Sequence, residues 1–238
     1  MAKTRLDVAL VERGLAETRA AAQRLVMAGL VFSGERRLEK AGQGIGPDTA
    51  LEVRGQPHPY VSRGGLKLEK ALDHFAIPVA GRIALDVGSS TGGFTDCLLQ
   101  RGVAKVYAVD VGTNQLAWKL RSEPRVVSME KTNMRDVTRA EIPDPVELIV
   151  CDASFIGLRT VLPAALALAV PGAHLVALIK PQFEVGKGRV GKGGIVREPE
   201  LHDEVCATIS DWLAAQPGWR VLGVTESPIT GAEGNKEF

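Results

Sequence analysis

Cysteine is scarce in this 238-residue chain: there are three, Cys97, Cys151 and Cys206, and no two are close enough to form a CxxC pair. The odd count and wide spacing exclude a disulfide framework and a cysteine-based zinc site. Each reads as a small buried apolar residue in a reducing cytosol. The four histidines, His58, His74, His174 and His202, show no ligand spacing either, so no metal is expected. An excess of either charge is also missing. Lys and Arg number 29 against 28 Asp and Glu, a net charge of +1, so any nucleic-acid partner has to be met by a local basic patch. The first residues, Met-Ala-Lys-Thr-Arg-Leu-Asp, carry charge where a signal peptide needs an apolar run. Nor is there a clean membrane span. The charge-free stretch 160–179 is interrupted by Pro163, Pro171, Gly172 and His174, which reads as a helix, a Pro-Gly turn and a buried strand. Apolar content of 45% and charged content of 24% are those of an ordinary soluble globular chain, not a disordered one.

What is present falls into two parts. Residues 1–55 read as a small α+β module ordered helix, helix, strand, strand. Leu6, Leu10 and Val11 share a helical face with Gly14 as its C-cap, and Thr18 opens a second helix over 19–27 that Gly29 closes. Short strands are expected near 30–33 and 50–53, separated by glycine-rich turns. Residues 1–60 hold nine Lys and Arg and seven Asp and Glu. Arg5, Arg19, Arg24, Arg36, Arg37 and Lys40 are candidates for a phosphate-facing surface, although solvated surface charge is the ordinary fate of such residues. Residues 56–62 read as a linker, with two prolines between Gly55 and Ser62.

From 63 to 238 apolar strands alternate with helices. Helix 66–75 leads to strand 83–87 and helix 93–101. Strand 105–109 is followed by a helix around 114–121 and strand 125–128. Strand 146–151 is followed by helix 157–170, strand 174–180, helix 199–214 and strand 219–226. That alternation predicts an α/β fold with a mostly parallel, doubly wound sheet and helices on both faces. Such sheets bind ligands at the carboxyl ends of their strands, near the switch in strand order.

Chemistry-bearing residues gather at those strand ends. Asp86-Val87-Gly88-Ser89-Ser90-Thr91-Gly92-Gly93 lies between strand and helix, spaced G-x-x-x-G-G. That is not the dinucleotide spacing, and an acid before the turn suits a ligand with a positive centre or donor groups better than a pyrophosphate. Asp110 ends the next strand, placed to accept from ribose hydroxyls; a solvated loop acid or a helix N-cap is the plainer alternative. Asp152 and Lys180 each end an apolar run. They could be a structural ion pair, but charges set deep at two strand ends favour a site. Gly186-Lys187-Gly188-Arg189-Val190-Gly191-Lys192 imitates a phosphate-binding loop. However, Gly193 stands where Ser or Thr is required and no helix opens there, so it reads as a basic flap or an ordinary loop.

Five motifs in order resemble the TlyA-type (haemolysin-A-like) RNA 2′-O-methyltransferase family. They are Arg5-Leu6-Asp7 with Val11 to Ala16 and Arg19 to Ala22; Val61-Ser62-Arg63-Gly64-Gly65-Leu66-Lys67-Leu68; the loop from Asp86 to Thr95; Lys180-Pro181-Gln182-Phe183-Glu184-Val185-Gly186-Lys187; and Gly234-Asn235-Lys236-Glu237. The resemblance covers nearly the whole chain. It implies an FtsJ-like, Rossmann-like catalytic domain behind a ribosomal-protein-type RNA-binding module. It also implies S-adenosyl-L-methionine as cofactor and ribosomal RNA, as ribosomal subunits, for substrate. By the same resemblance the catalytic set is Lys67, Asp152, Lys180 and Glu237. The cofactor residues would be Asp86, Gly88, Ser90, Thr91, Gly92, Gly93 and Asp110, with Asn133 and Met134 near the adenine. RNA contacts would come from Arg5, Arg19, Arg24, Arg63, Lys187, Arg189 and Lys192. In the family a last strand follows the position of Phe238, so Glu237 is expected to be poorly held here.

Within that reading Lys180 would act on a ribose hydroxyl, that of a cytidine, either as a neutral base that takes its proton or as a cation that orients the oxygen lone pair. Lys67 would repel its charged form and the two acids would favour it. A cytoplasmic protein with no membrane and no obligatory protein partner follows. The rivals are a non-catalytic RNA-binding protein, which leaves four charged strand-end residues unexplained, and a membrane-active haemolysin, which needs an amphipathic or spanning segment.

Overall fold

The computed structural model describes residues 3–13, 15–16, 18–54, 58–186, 188–231 and 234–238. The chain divides into two compact units, Met1–Pro59 and Tyr60–Phe238.

In the first unit, strand β1 (Thr4–Arg5) runs into helix α1 (Leu6–Glu12), followed by α2 (Arg19–Met27), β2 (Val31–Ser33), β3 (Arg36–Arg37), β4 (Gly44–Ile45) and β5 (Glu52–Val53). The Thr18 hydroxyl accepts from Ala21 N and caps α2 as expected. Leu6, Leu10, Ala22, Val26 and Val31 close the core. Strands β1 and β4 form one antiparallel pair, and β3-β2-β5 a second small sheet. The two-residue strands β1, β3 and β4 are too short to show alternation in sequence. The expected cap at Gly14 lies outside the described residues.

The second unit is a five-stranded parallel sheet in the order β10-β9-β6-β7-β8, built from β6 (Ile83–Val87), β7 (Lys105–Val109), β8 (Val126–Met129), β9 (Val146–Cys151) and β10 (Ala169–Ala177). Its helices are α3 (Gly64–His74), α4 (Gly93–Gln100), α5 (Trp118–Arg121), α6 (Leu158–Ala167), α7 (Pro181–Glu184) and α8 (Pro199–Ala214). One core cluster holds Leu68, Leu72, Phe94, Leu98 and Leu148; the other holds Leu85, Ile149, Leu162, Val205 and Ile209. Strand order switches between β6 and β9, so the loops after these two strands flank the crevice where such sheets bind ligands.

Three expectations need correction. The helix around 114–121 shrinks to Trp118–Arg121. Ahead of it the Glu130 carboxylate accepts from the backbone N–H of Asn114, Gln115 and Leu116, supplying bonds that a helix would otherwise provide. The Pro171-Gly172 turn becomes an irregularity within β10: pairing jumps from Ala169 opposite Val146 to His174 opposite Leu148. A proline is tolerated there because β10 is an edge strand. Residues 219–226 form no strand. A strand needs a ladder partner, and a cavity of about 400 Å³, lined by Val176, Leu213, Trp219 and Leu222 among others, separates this segment from β10.

Candidate active site

Lys67 sits on the buried face of α3 together with Leu68, Ala71 and Leu72. A lysine on an apolar face is costly unless it is matched, and here it is. Its Nζ lies 2.5 Å from Glu237 Oε2 and 3.7 Å from Asp152 Oδ2. Asp152 follows β9. Lys180 follows the apolar residues Leu178 and Ile179, with Pro181 at the first position of α7 ending any continuation. Lys180 Nζ lies 2.6 Å from Asp152 Oδ1 in ion-pair contact, and donates to Asp152 O at 3.1 Å and Ser154 Oγ at 2.9 Å. The four side chains therefore form one chain of alternating charge, Lys180, Asp152, Lys67, Glu237, with no net charge. Both lysines and Glu237 are buried.

Glu237 is firmly held, contrary to expectation. Its backbone O accepts from Ser227 N, and the next residue, Phe238, exchanges both backbone bonds with Ile179. Gly231 makes room for its carboxylate, since a Cβ there would collide with Glu237 Oε1. Asn235 ties the same segment to the glycine-rich loop. Its Oδ1 accepts from Val196 N and its Nδ2 donates to Gly194 O, each at 3.0 Å.

The set opens onto two adjoining cavities of about 500 and 340 Å³. The first is lined by Arg63, Gly88, Ser90, Thr91 and Gly93 along with the four charged residues. The second is lined by Gly88, Ser90, Asp110, Asn133 and Met134. Gly88 has φ 79°, and a Cβ on it would lie 2.9 Å from Ala153 Cα. Glycine is thus required where the loops after β6 and β9 touch. Asp110 accepts from Ser90 N at 2.8 Å and Gly112 N at 2.7 Å. It shapes the loop, and lone pairs remain for a ligand. Gly93 lets α4 pack against α3, since a Cβ would meet Ser62 Oγ and Gly65 N.

Two expected cofactor residues do not line either cavity. A Cβ on Gly92, which has φ 96°, would meet Leu120 and Leu116, so this glycine serves packing. Asp86 is fully buried behind the loop, its Oδ2 accepting from the Thr95 hydroxyl at 2.6 Å. Burial pushes its carboxyl up to about 7, with Asp152 and Asp110 adding to the rise. Above the unfolded carboxyl value the unfolded chain has lost this proton while the fold keeps it, so stability falls as pH rises toward 7 and then levels. Thermal unfolding between pH 5 and 8 is expected to show that decline, and Asp86→Asn to abolish it. An unchanged pH profile in the variant would rule out Asp86 as its source.

Residues that sequence reading missed complete the site. Ser154 takes a bond from Lys180. Glu184 accepts from Leu158 N at 2.6 Å and so caps α6; burial raises its carboxyl. Phe155, at φ 65° and 90% exposed, stands at the rim 5.2 Å from the Phe183 ring. The motif Lys180 to Glu184 hinted at Glu184. The others are contacts between distant segments. Of the expected RNA contacts, Arg5, Arg19, Arg24, Arg63 and Lys192 are exposed. Arg189 makes a two-pronged ion pair with Glu204, 2.6 Å on each arm. Lys187 lies outside the described residues. Among the described residues no helix is long and apolar enough to cross a membrane.

The FtsJ-like methyltransferase family model matches residues 60–238 and the S4 domain model residues 4–50, which meets the resemblance read from the motifs. YqxC of Bacillus subtilis (strain 168), whose name gives rRNA methyltransferase as a provisional activity, is 55% identical over 99% of this chain and 84% of its own. The 16S/23S rRNA (cytidine-2′-O)-methyltransferase TlyA of Mycobacterium tuberculosis (strain ATCC 25618 / H37Rv) is 48% identical over 99% of this chain and 88% of its own. A solved structure from Streptococcus thermophilus, provisionally named a hemolysin, superposes with a TM-score of 0.77 at 48% identity, covering 100% of this chain and 86% of that one.

Proposed function

The chain belongs to the FtsJ-like methyltransferase family and carries an S4 domain, and on that premise we propose that it methylates a ribose 2′-hydroxyl, that of a cytidine in ribosomal RNA, in the cytoplasm. The observation that carries this reading is the buried, charge-balanced set Lys67, Asp152, Lys180 and Glu237 at the switch in strand order, beside a glycine-lined cavity. An inert structural ion network would have no reason to face two cavities.

S-adenosylmethionine, when bound, supplies a methyl group on a positively charged sulfur. The residues present fit it. Gly88 would allow close backbone approach, Asp110 would accept from its ribose hydroxyls, and Asn133 and Met134, which line the adjoining slot, would flank its adenine. No pyrophosphate-type loop competes.

A ribose hydroxyl is a weak nucleophile until its proton is drawn away. Lys180 is the group placed for this, either as a neutral base or as a cation that orients the oxygen lone pair. The pH dependence of single-turnover rates separates the two. Asp152 and Ser154 fix the Lys180 amine. Lys67, itself held by Glu237, spaces the two carboxylates and fixes Asp152. Holding the reacting groups in place is a large part of the catalysis such a site can supply. The exposed Phe155 ring offers a face on which a base can stack. Arg5, Arg19 and Arg24 in the S4 domain, and Arg63, Arg189 and Lys192 near the site, are assigned to RNA phosphates.

The test is methyl transfer from labelled S-adenosylmethionine to ribosomal subunits from a strain lacking the protein, followed by mapping of the label. A 2′-O-methyl cytidine is expected. Label on a base nitrogen or carbon would overturn the assignment.

A further inference from the structure

The S4 domain contains an ion cluster that methyl transfer does not use. Asp7, in the first turn of α1, is fully buried. Its Oδ1 accepts from Arg5 Nε at 3.0 Å. Its Oδ2 accepts from Arg5 Nη2 at 3.0 Å, Arg19 Nη2 at 3.2 Å and Gln23 Nε2 at 2.9 Å. The arginines it holds are not buried with it: their side chains remain 52% and 58% exposed. They come from different elements, Arg5 from β1 and Arg19 from α2. Arg5 also lies against Gly42, where a Cβ would sit 3.4 Å from its Nη1.

A buried carboxylate is costly, and simple fold stability would be served as well by an apolar residue. What the carboxylate adds is geometry. It fixes the rotamers of two long, flexible cations, whose ordering would otherwise oppose binding. It also leaves the Nη1 groups outside the cluster as donors matched to phosphate oxygens. The Asp7 carboxyl is held well below the usual range, chiefly by the Arg5 hydrogen bond and then by Gln23, so it stays charged at any physiological pH.

We propose that Asp7 is a positioning residue that sets Arg5 and Arg19 as one preformed clamp for a phosphodiester of the RNA backbone. The proposal rests on the ribosomal RNA reading above and gives the S4 domain a specific contact. It also makes a prediction opposite in sign to net charge. Asp7→Asn removes a negative charge from beneath the two exposed arginines, so by long-range electrostatics alone it should bind RNA more tightly. The clamp requires weaker binding.

The experiment measures binding of the full chain to ribosomal subunits from the strain lacking it, across a salt series, with methyl-transfer kinetics alongside. For Asp7→Asn the clamp gives binding weaker by about tenfold, the scale of one charge-assisted hydrogen bond, and a log–log salt slope shallower by ~1. KM should rise while kcat at saturating subunits stays near wild type, with an unchanged thermal unfolding transition showing that the domain is still folded. Should Asp7→Asn fail to fold, Arg5→Lys decides. It lies on the surface and keeps the charge, but cannot place two donors on the carboxylate and a third on phosphate, and weaker binding with a raised KM is again expected. Binding equal to or tighter than wild type in either folded variant overturns the clamp. Failure of the wild-type chain to bind subunits at all would instead overturn the RNA reading on which the clamp stands.

Discussion

Lys180→Ala is expected to lower single-turnover methyl transfer by ~10²- to 10⁴-fold, the usual contribution of a positioned proton-transfer group. Cofactor and RNA binding should remain close to wild type. The amine is buried, 2.6 Å from Asp152 Oδ1, with further bonds to Asp152 O and Ser154 Oγ. None of these partners belongs to the S4 domain, and Lys180 itself does not line the slot of Asn133 and Met134, although Asp152 and Ser154 border it. The substitution removes one positive charge from a balanced set of four and leaves Asp152 facing only Lys67, at 3.7 Å. A local shift of Asp152 is therefore part of the loss. Lys180→Arg separates the contributions, because it restores the charge but not a group able to become a neutral base. Titration with S-adenosylhomocysteine and subunit binding monitor the intact functions. Near-normal turnover in Lys180→Ala would remove Lys180 from the mechanism.

Gly231→Ala is the second large effect, and it falls on a residue with no chemistry of its own. The backbone of Gly231 lies outside the left-handed region, so alanine strains no torsion there. The added methyl instead collides with the Glu237 carboxylate. That carboxylate is buried and pairs with Lys67, so it cannot simply move into water. Displacement of about an ångström at such a site costs on the order of 10²-fold in kcat, while overpacking costs about 1–3 kcal/mol of stability. Glu237→Gln provides the comparison: the shape is retained and the charge is lost, leaving the buried Lys67 ammonium undermatched. Both variants should lower kcat at saturating substrate far more than they raise KM. A Gly231→Ala protein with wild-type kcat would mean that Glu237 placement does not matter to the reaction.

The elements legible in sequence are those whose pattern is long and local. Strands β7 and β9 and helix α8 lie where periodicity puts them, because their apolar residues recur over five or more positions. The glycine-rich turn after β6 and the charged residues ending apolar runs mark Gly88, Asp152 and Lys180 in the sequence itself, and all three line one cavity. Lys67 stood out only through family motif, since a lysine in an amphipathic helix ordinarily faces water. Asp86 lies deeper than its place before the loop suggests, because position in the chain says nothing about depth; the side chain points into the core and meets Thr95. The expected strand 219–226 has the composition of a strand and, among the described residues, no ladder partner. The helix expected from 114 was cut short by a carboxylate from Glu130, many residues away.

By itself the sequence determined the fold class, the chain order of the five sheet strands and the longer helices, and the residue types at the strand ends. Each follows from steric period and hydrophobic burial, which are properties of neighbouring residues. Tertiary structure alone decided which charges share the site. The contact between Lys67 and Glu237 joins residues 170 positions apart, and the room that Gly231 leaves for Glu237, the anchoring of the glycine-rich loop by Asn235, and the union of Arg5 and Arg19 on Asp7 are likewise matters of packing. Ion pairs and close packing act over a few ångströms of space, and only the completed fold says which residues those are.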